Sequence, residues 1–258
     1  MGIGPGAVDH LSLRAKEVLE QVDAVVGYTL YIDLIRPLVE GKKYFATPMM
    51  QEIRRVETAV DMAMDGMSVA LVSSGDPGIY AMAGLVFEKC RDKGVFLGLS
   101  REAARPSGGI RIEVIPGIPA LCAGAALLGA PLTHDFAVVS LSDLLTPWEV
   151  IERRLDAAAV ADFVLVLYNP KSKKRTWQME KAREIILRHR RPETPVGVVT
   201  RAMRKDQSVR ITTLQGLSAE SVDMQTIVFV GNSNTVAMDG IMATPRGYTQ
   251  KYHLCRSS

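Results

Sequence analysis

Residues 69–81 read VALVSSGDPGIYA. The segment opens as an apolar run of strand length, Val69 to Ser73. It then breaks at Gly75, Pro77 and Gly78, residues that permit or fix the backbone angles of a sharp turn. In open α/β sheets, ligands collect at the carboxyl ends of the strands, so this turn is a candidate ligand loop. Asp76 could accept a hydrogen bond there from a ligand hydroxyl or from backbone N–H groups. Spacing alone favours the other reading, a cap on a helix beginning near Tyr80.

Similar apolar runs lie on both sides. Strands are predicted over Ala24–Gly27, Val69–Ser73, Ile110–Ile115, Ala137–Leu141, Phe163–Tyr168, Val196–Thr200, Ser208–Thr213 and Thr226–Val230, each bounded by turn-forming residues. Helical periods fall between them. Ile53, Val56, Val60, Ala63 and Met67 make one apolar face, and Met179, Ala182, Ile185 and Ile186 make another. Strands alternating with helices predict an α/β protein with largely parallel pairing. Gly and Pro in GAPLTHD, residues 129–135, mark a seam, giving domains over 1–130 and 131–258. The segment Gly98–Gly109 reads as a surface loop.

The 258 residues are 47% apolar and 23% charged, which is globular rather than disordered usage. A net charge of +3 is too small to argue for nucleic acid. Cys90, Cys122 and Cys255 are odd in number and far apart. They predict neither a disulfide framework nor a metal site and fit a reducing compartment. The most apolar stretch, PALCAGAALLGAPL over residues 119–132, is shorter than the roughly 18–20 residues of a membrane span and reads as a buried helix. With no basic, apolar leader over residues 1–20, a soluble cytoplasmic protein is expected.

Three other segments share the character of the first. GIGPG, residues 2–6, allows close approach to backbone, but lacks the spacing of a dinucleotide fingerprint. Only Met1 precedes its first glycine, so the strand expected ahead of such a turn is short, and a neighbouring strand is expected to lack a partner. VIPGIPALCAG, residues 114–124, turns at Pro116-Gly117 into a helix of small residues, suited to tight packing or to a ligand edge. YNPKSKKR, residues 168–175, follows the strand FVLVL. Its Lys171, Lys173, Lys174 and Arg175, with Arg201 after the strand VGVVT, form either a solvated rim or a grip for carboxylates. Hydrolase and phosphate-loop motifs are absent from the sequence. Of the four histidines, His134, beside Asp135 at the seam, is the site candidate.

The ordered set GIGPG, SSGDPGIY, IPGIPA and YNP with the following VVTRA resembles the tetrapyrrole (corrin/porphyrin) methylase family over nearly the whole chain. HDFAVVSLSDLLTPWEVIERRL, residues 134–155, with LYNPKS, looks like its precorrin-3B C17-methyltransferase branch. The resemblance implies a two-domain α/β fold with mixed sheets, S-adenosylmethionine held in a cleft between the domains, S-adenosylhomocysteine as product, no metal, and a homodimer. By position it assigns Pro5, Ser74, Gly75, Asp76, Ile79, Pro119, Ala120, Asn169 and Ala202 to the cofactor. Lys171, Lys173, Lys174, Arg175 and Arg201 would meet the carboxylates of a tetrapyrrole. Methylation at C17 with contraction of the macrocycle requires proton movement, for which Asp143, His134 and Asp135 are the candidates. The donor is already activated, so positioning can supply most of the catalysis. A cobalt-loaded substrate, a diphthine synthase, a ribosomal-RNA methylase and a non-catalytic tetrapyrrole- or nucleotide-binding protein are the alternatives.

Overall fold

The computed structural model describes residues 1–98, 109–248 and 251. The loop expected over Gly98–Gly109 therefore lies almost wholly outside the described residues. The chain forms two compact units, Met1–Ala120 and Leu121–Ser258. The Gly129–Asp135 seam lies inside the second.

The first unit opens with α1 (Leu13–Gln21), whose first turn is capped by the Ser12 hydroxyl accepting from Ala15 N at 3.1 Å. Next come β1 (Ala24–Tyr28), α2 (Thr29–Leu34), β2 (Lys43–Thr47), α3 (Glu52–Met64), β3 (Val69–Val72) and α4 (Met82–Asp92). They are followed by the short parallel pair β4 (Phe96–Gly98) and β5 (Gly109–Arg111). β1 lies between β2 and β3, all parallel. Its first four residues are buried, which is why AVVG reads as a continuous apolar run. Ile3, Leu19, Val25, Ile32, Ile35 and Val72 share one core. On α3 the buried face is Arg55, Val56, Ala59 and Val60. Ile53, expected on that face, is 54% exposed, and Met67 lies beyond the helix end.

Residues 1–4 do pair with their neighbours. The Met1 nitrogen donates to Leu71 O at 2.8 Å, Ser73 N donates to Met1 O, Ile3 N to Ser73 O, and Gly2 N to Ile115 O. Beyond Met1 the edges of Val69–Leu71 and Ile110–Ile115 line a cavity of about 510 Å³, whose other walls include Val18, Val60 and Val86. Of the expected Ile110–Ile115 strand, Ile110 and Arg111 lie in a ladder, within β5.

The second unit begins within α5 (Ala120–Leu128) and runs on through β6 (Gly129–Ala130), β7 (Phe136–Ser140), α6 (Trp148–Val160), β8 (Val164–Tyr168), α7 (Gln178–Leu187), β9 (Pro195–Thr200), β10 (Ser208–Thr213), β11 (Thr226–Val230), β12 (Val236–Met238) and β13 (Ile241–Ala243). Its main sheet has the order β10-β9-β11-β8-β7. Only β7 and β8 pair in parallel; the other three pairings are antiparallel. The expectation of largely parallel pairing therefore holds for the first unit and fails for the second. The turn between β9 and β10 and the short return to β11 leave no room for helical crossovers. Leu155, Leu165, Leu167, Ile185, Ile186 and Val228 pack as one core. The small residues of α5 allow close packing: a Cβ on Gly124 would stand 2.7 Å from the Phe229 ring.

Candidate active site

In the first unit the GIGPG, SSGDP and IPGIPA loops meet. Gly4 and Gly75 exchange backbone hydrogen bonds, at 2.7 Å from Gly75 N and 3.2 Å from Gly4 N. A Cβ on Gly2 would stand 2.4 Å from Gly75 O, and one on Gly117 would stand 2.2 Å from the same oxygen. Glycine is required at both positions because backbone of another loop occupies the space of a side chain. A Cβ on Gly75 would touch Pro119 Cα and Ala120 N at 3.6 and 3.8 Å. Pro5 is buried beside Gly4.

Asp76 links this junction. Its Oδ1 accepts from Gly78 N at 2.8 Å and its Oδ2 from Gly117 N at 3.1 Å. It does not cap α4, which starts at Met82 behind Ala81 without a side-chain cap. An aspartate two residues before Gly78 forms a local turn instead, and its second oxygen ties two loops together. Ser74 Oγ donates to Gly4 O at 3.4 Å, and Ile79 N donates to Asp76 O. The neighbouring Ser73 is 3% exposed, and its Oγ has no partner among the described residues. A buried orphan hydroxyl, an ordered carboxylate and closely approaching backbone suit a polar amino-acid or ribose group, so the residues present fit a S-adenosylmethionine donor.

In the second unit a side-chain network gathers where β7 and β8 end. Gln178, first residue of α7 and 2% exposed, donates from Nε2 to Asp143 Oδ2 at 2.9 Å. Asn169 sits at φ 53° and donates to Ser140 Oγ at 2.9 Å. Arg175 donates to Ser142 Oγ at 2.9 Å and to Asn169 O at 3.4 Å, while its buried Nε has no partner among the described residues. Tyr168, the last residue of β8, accepts on its hydroxyl from Leu121 N at 2.9 Å. Asp143, Asn169 and Arg175 were legible as candidates; Ser140, Ser142 and Gln178 were not.

The remaining candidates are placed apart. His134 and Asp135 precede β7, whereas Asp143 follows it. A strand of that length spans about 16 Å, so the three proton-transfer candidates do not converge. His134 is spent locally, its Nδ1 accepting from Asp135 N at 2.8 Å. Lys171, Lys173 and Lys174 are exposed on the loop after β8. Arg201 is already neutralised: it pairs with Asp223 at 3.2 Å and Asp206 at 3.3 Å and donates to Gln225 Oε1. Ala202 lies between Arg201 and Met203, both at positive φ, in the turn after β9. Among the described residues no three His, Cys, Asp or Glu side chains gather as a metal site, and no helix is long and apolar enough to cross a membrane.

Residues 1–218 match the family model for Tetrapyrrole (Corrin/Porphyrin) Methylases, and the chain belongs to that family. It is 44% identical to the "Probable cobalt-factor III C(17)-methyltransferase" of Salmonella typhimurium over 249 residues, covering 96% of this chain and 98% of that protein. It is 45% identical to the "Cobalt-factor III methyltransferase" of Priestia megaterium, but spans only 45% of that protein's length. The crystal structure of the methyltransferase CobJ superposes with a TM-score of 0.85 at 35% identity, covering 95% of this chain and 97% of that one.

Proposed function

We propose that the chain is a S-adenosylmethionine-dependent methyltransferase that methylates C17 of a tetrapyrrole in cobalamin biosynthesis, with contraction of the macrocycle. The observation that carries this reading is the 44% identity to the Salmonella protein, which runs through 96% of this chain and so through both clusters described above. Relatives 44–46% identical to this chain are named for cobalt-factor III. The cobalt-loaded ring is therefore the substrate we assign, ahead of metal-free precorrin-3B, whose methylated and contracted product is precorrin-4.

S-adenosylmethionine, when bound, supplies a methyl group already activated on a sulfonium. The chain's own work is positioning, and well-oriented partners gain on the order of 7–11 kcal/mol over free encounter. Pro5, Ser74, Gly75, Asp76, Ile79, Pro119 and Ala120 would hold the donor, with Asp76 kept in place by its two backbone donors. Asn169 and Ala202 are assigned to it by position in the family pattern. On the substrate side, Arg175 and the three exposed lysines offer charge-assisted bonds to ring carboxylates. Asp143 is the proton-handling group that the geometry favours. Gln178 occupies Oδ2, which leaves Oδ1 to accept or return a proton.

The free, exposed Cys122 thiol fits a reducing cytoplasm. The exposed Val236, Met238 and Ile241 of β12 and β13 offer apolar surface for a homodimer, which light scattering would weigh directly.

The test is incubation of the purified protein with methyl-labelled S-adenosylmethionine and either ring, followed by mass measurement of the pigment. One labelled methyl on cobalt-factor III, gained faster than on precorrin-3B, is expected. A protein that binds S-adenosylhomocysteine yet labels neither ring is not a C17-methyltransferase.

A further inference from the structure

Among its described residues, the first unit holds a buried cation with no carboxylate at ion-pair distance. Arg55, on α3, is 3% exposed. Its Nε donates to Thr47 Oγ1 at 2.8 Å and one terminal nitrogen to Pro48 O at 3.1 Å; the other reaches only Met82 Sδ at 3.9 Å. The guanidinium carbon lies 5.9 Å from the centre of the Tyr28 ring. Among the described residues no carboxylate lies within ion-pair distance of it. Burial pushes its proton affinity below the ordinary arginine value, with Glu52 opposing only from a distance.

Arg190 shows the ordinary alternative. It is similarly buried, donates to two carbonyl oxygens, Ala159 O and Phe163 O, and pairs with Asp162 at 3.0 Å. A buried charge without a partner is expensive, and a fold that needed only the two hydrogen bonds could make them with a neutral group. Position supplies a reason for the cost. Thr47 and Tyr28 are the last residues of β2 and β1, so the guanidinium sits at the carboxyl edge of the parallel sheet, where ligands bind. Pro48 and Met82, which the guanidinium contacts, adjoin strained and apolar turns in the chain. Met50 and Tyr80 hold positive φ, at 70° and 49°. Met49, Met50 and Tyr80 are 46, 65 and 54% exposed. Bulky residues kept in that backbone region, with large apolar side chains turned to solvent, cluster at binding sites.

We propose that Arg55 anchors one carboxylate of the macrocycle, while Met49, Met50 and Tyr80 receive the apolar face of the ring. This rests on the tetrapyrrole reading above and adds a substrate contact outside the loops that the family pattern assigns. The guanidinium has N–H groups left for a carboxylate after its two oxygen partners are served. A charge-assisted pair there would also end the unpaired burial.

The experiment uses the full chain as wild type, Arg55→Met and Arg55→Lys. Each is titrated with uroporphyrin, a stable polycarboxylate tetrapyrrole, and separately with S-adenosylhomocysteine, and each is melted. Expected is a loss of about 10- to 100-fold in uroporphyrin affinity for Arg55→Met. Arg55→Lys should fall in between, since it keeps the charge without the planar fork. S-adenosylhomocysteine affinity should stay within about twofold, and the melting temperature of Arg55→Met should not fall.

Unchanged uroporphyrin affinity in a folded Arg55→Met overturns the proposal. A loss confined to S-adenosylhomocysteine overturns it too, because the charge would then serve the donor's carboxylate. Collapse of the melting temperature in both variants makes Arg55 a structural residue and also overturns it. Wild type that binds S-adenosylhomocysteine but no uroporphyrin removes the tetrapyrrole reading itself, a result distinct from the other three.

Discussion

The two candidate clusters are built from different materials. In the first unit the junction is mainly main chain against main chain: Gly2, Gly4, Gly75 and Gly117 touch through backbone, and the Asp76 carboxylate and the Ser74 hydroxyl add side-chain ties between loops. In the second unit the network is side chain against side chain: Asp143, Asn169, Arg175 and Gln178, with two serine hydroxyls. Backbone geometry tolerates no added atom, whereas a side-chain network degrades by steps. The first cluster should therefore fail through the fold and the second through the chemistry.

Gly117→Ala presses hardest on that contrast. Its Cβ would meet Gly75 O at 2.2 Å, and backbone cannot yield as a flexible side chain can. A loss of about 4 kcal/mol, with the melting temperature down on the order of 10 °C, is expected in a calorimetric scan. Gly66→Ala is the control: φ is +96°, nothing among the described residues lies within 4 Å of the added carbon, and only the backbone cost of about 1 kcal/mol remains. Equal costs for the two would show that the loops are not locked together.

In the second cluster, Asp143→Asn should lower kcat by about 100-fold with little change in melting temperature. Gln178→Leu, which frees the other carboxylate oxygen, should lower kcat by about tenfold with KM little changed. A drop in stability with an unchanged kcat would make Gln178 a packing residue. Lys173→Glu with Lys174→Glu is a smaller perturbation: KM should rise about three- to tenfold, less at high salt, with kcat unchanged. A KM that ignores both charge and salt would mark those lysines as plain surface. The smallest effect concerns thiols. Burial raises the Cys90 pKa, whereas Cys122 is exposed. In a Cys255→Ser background, Ellman's reagent at pH 8 should therefore titrate one thiol, and Cys122→Ser should abolish the reaction.

What was legible follows from the same contrast. Glycine-rich turns after apolar strands announce themselves, so the three loops of the first unit and the order of the long strands could be read directly. β2, with the sequence KYFAT and most of its side chains exposed, lacks the apolar run of a central strand and was missed. So were β6, β12 and β13, each too short to show a period. The antiparallel pairings of the second unit were misread because two-sided burial gives β8, β9 and β11 the continuous apolar character of parallel strands. The side-chain partners were hidden in another way. Gln178 precedes Ala182 and Ile185 at helical spacing, and Arg55 precedes Ala59 in the same fashion. Each is a polar residue on an apolar stripe, and that exception was the available signal for both.

The central claim is that the glycine junction, fastened by Asp76, holds the methyl donor, and calorimetric titration of S-adenosylhomocysteine into wild type and Asp76→Ala tests it most directly. Wild type should bind with a single site, and the variant at least tenfold more weakly. Its melting temperature should fall by a few degrees, because Gly78 N and Gly117 N lose their acceptor. Equal affinity in the two proteins would contradict the account, reducing Asp76 to a fastener between loops and placing the donor elsewhere.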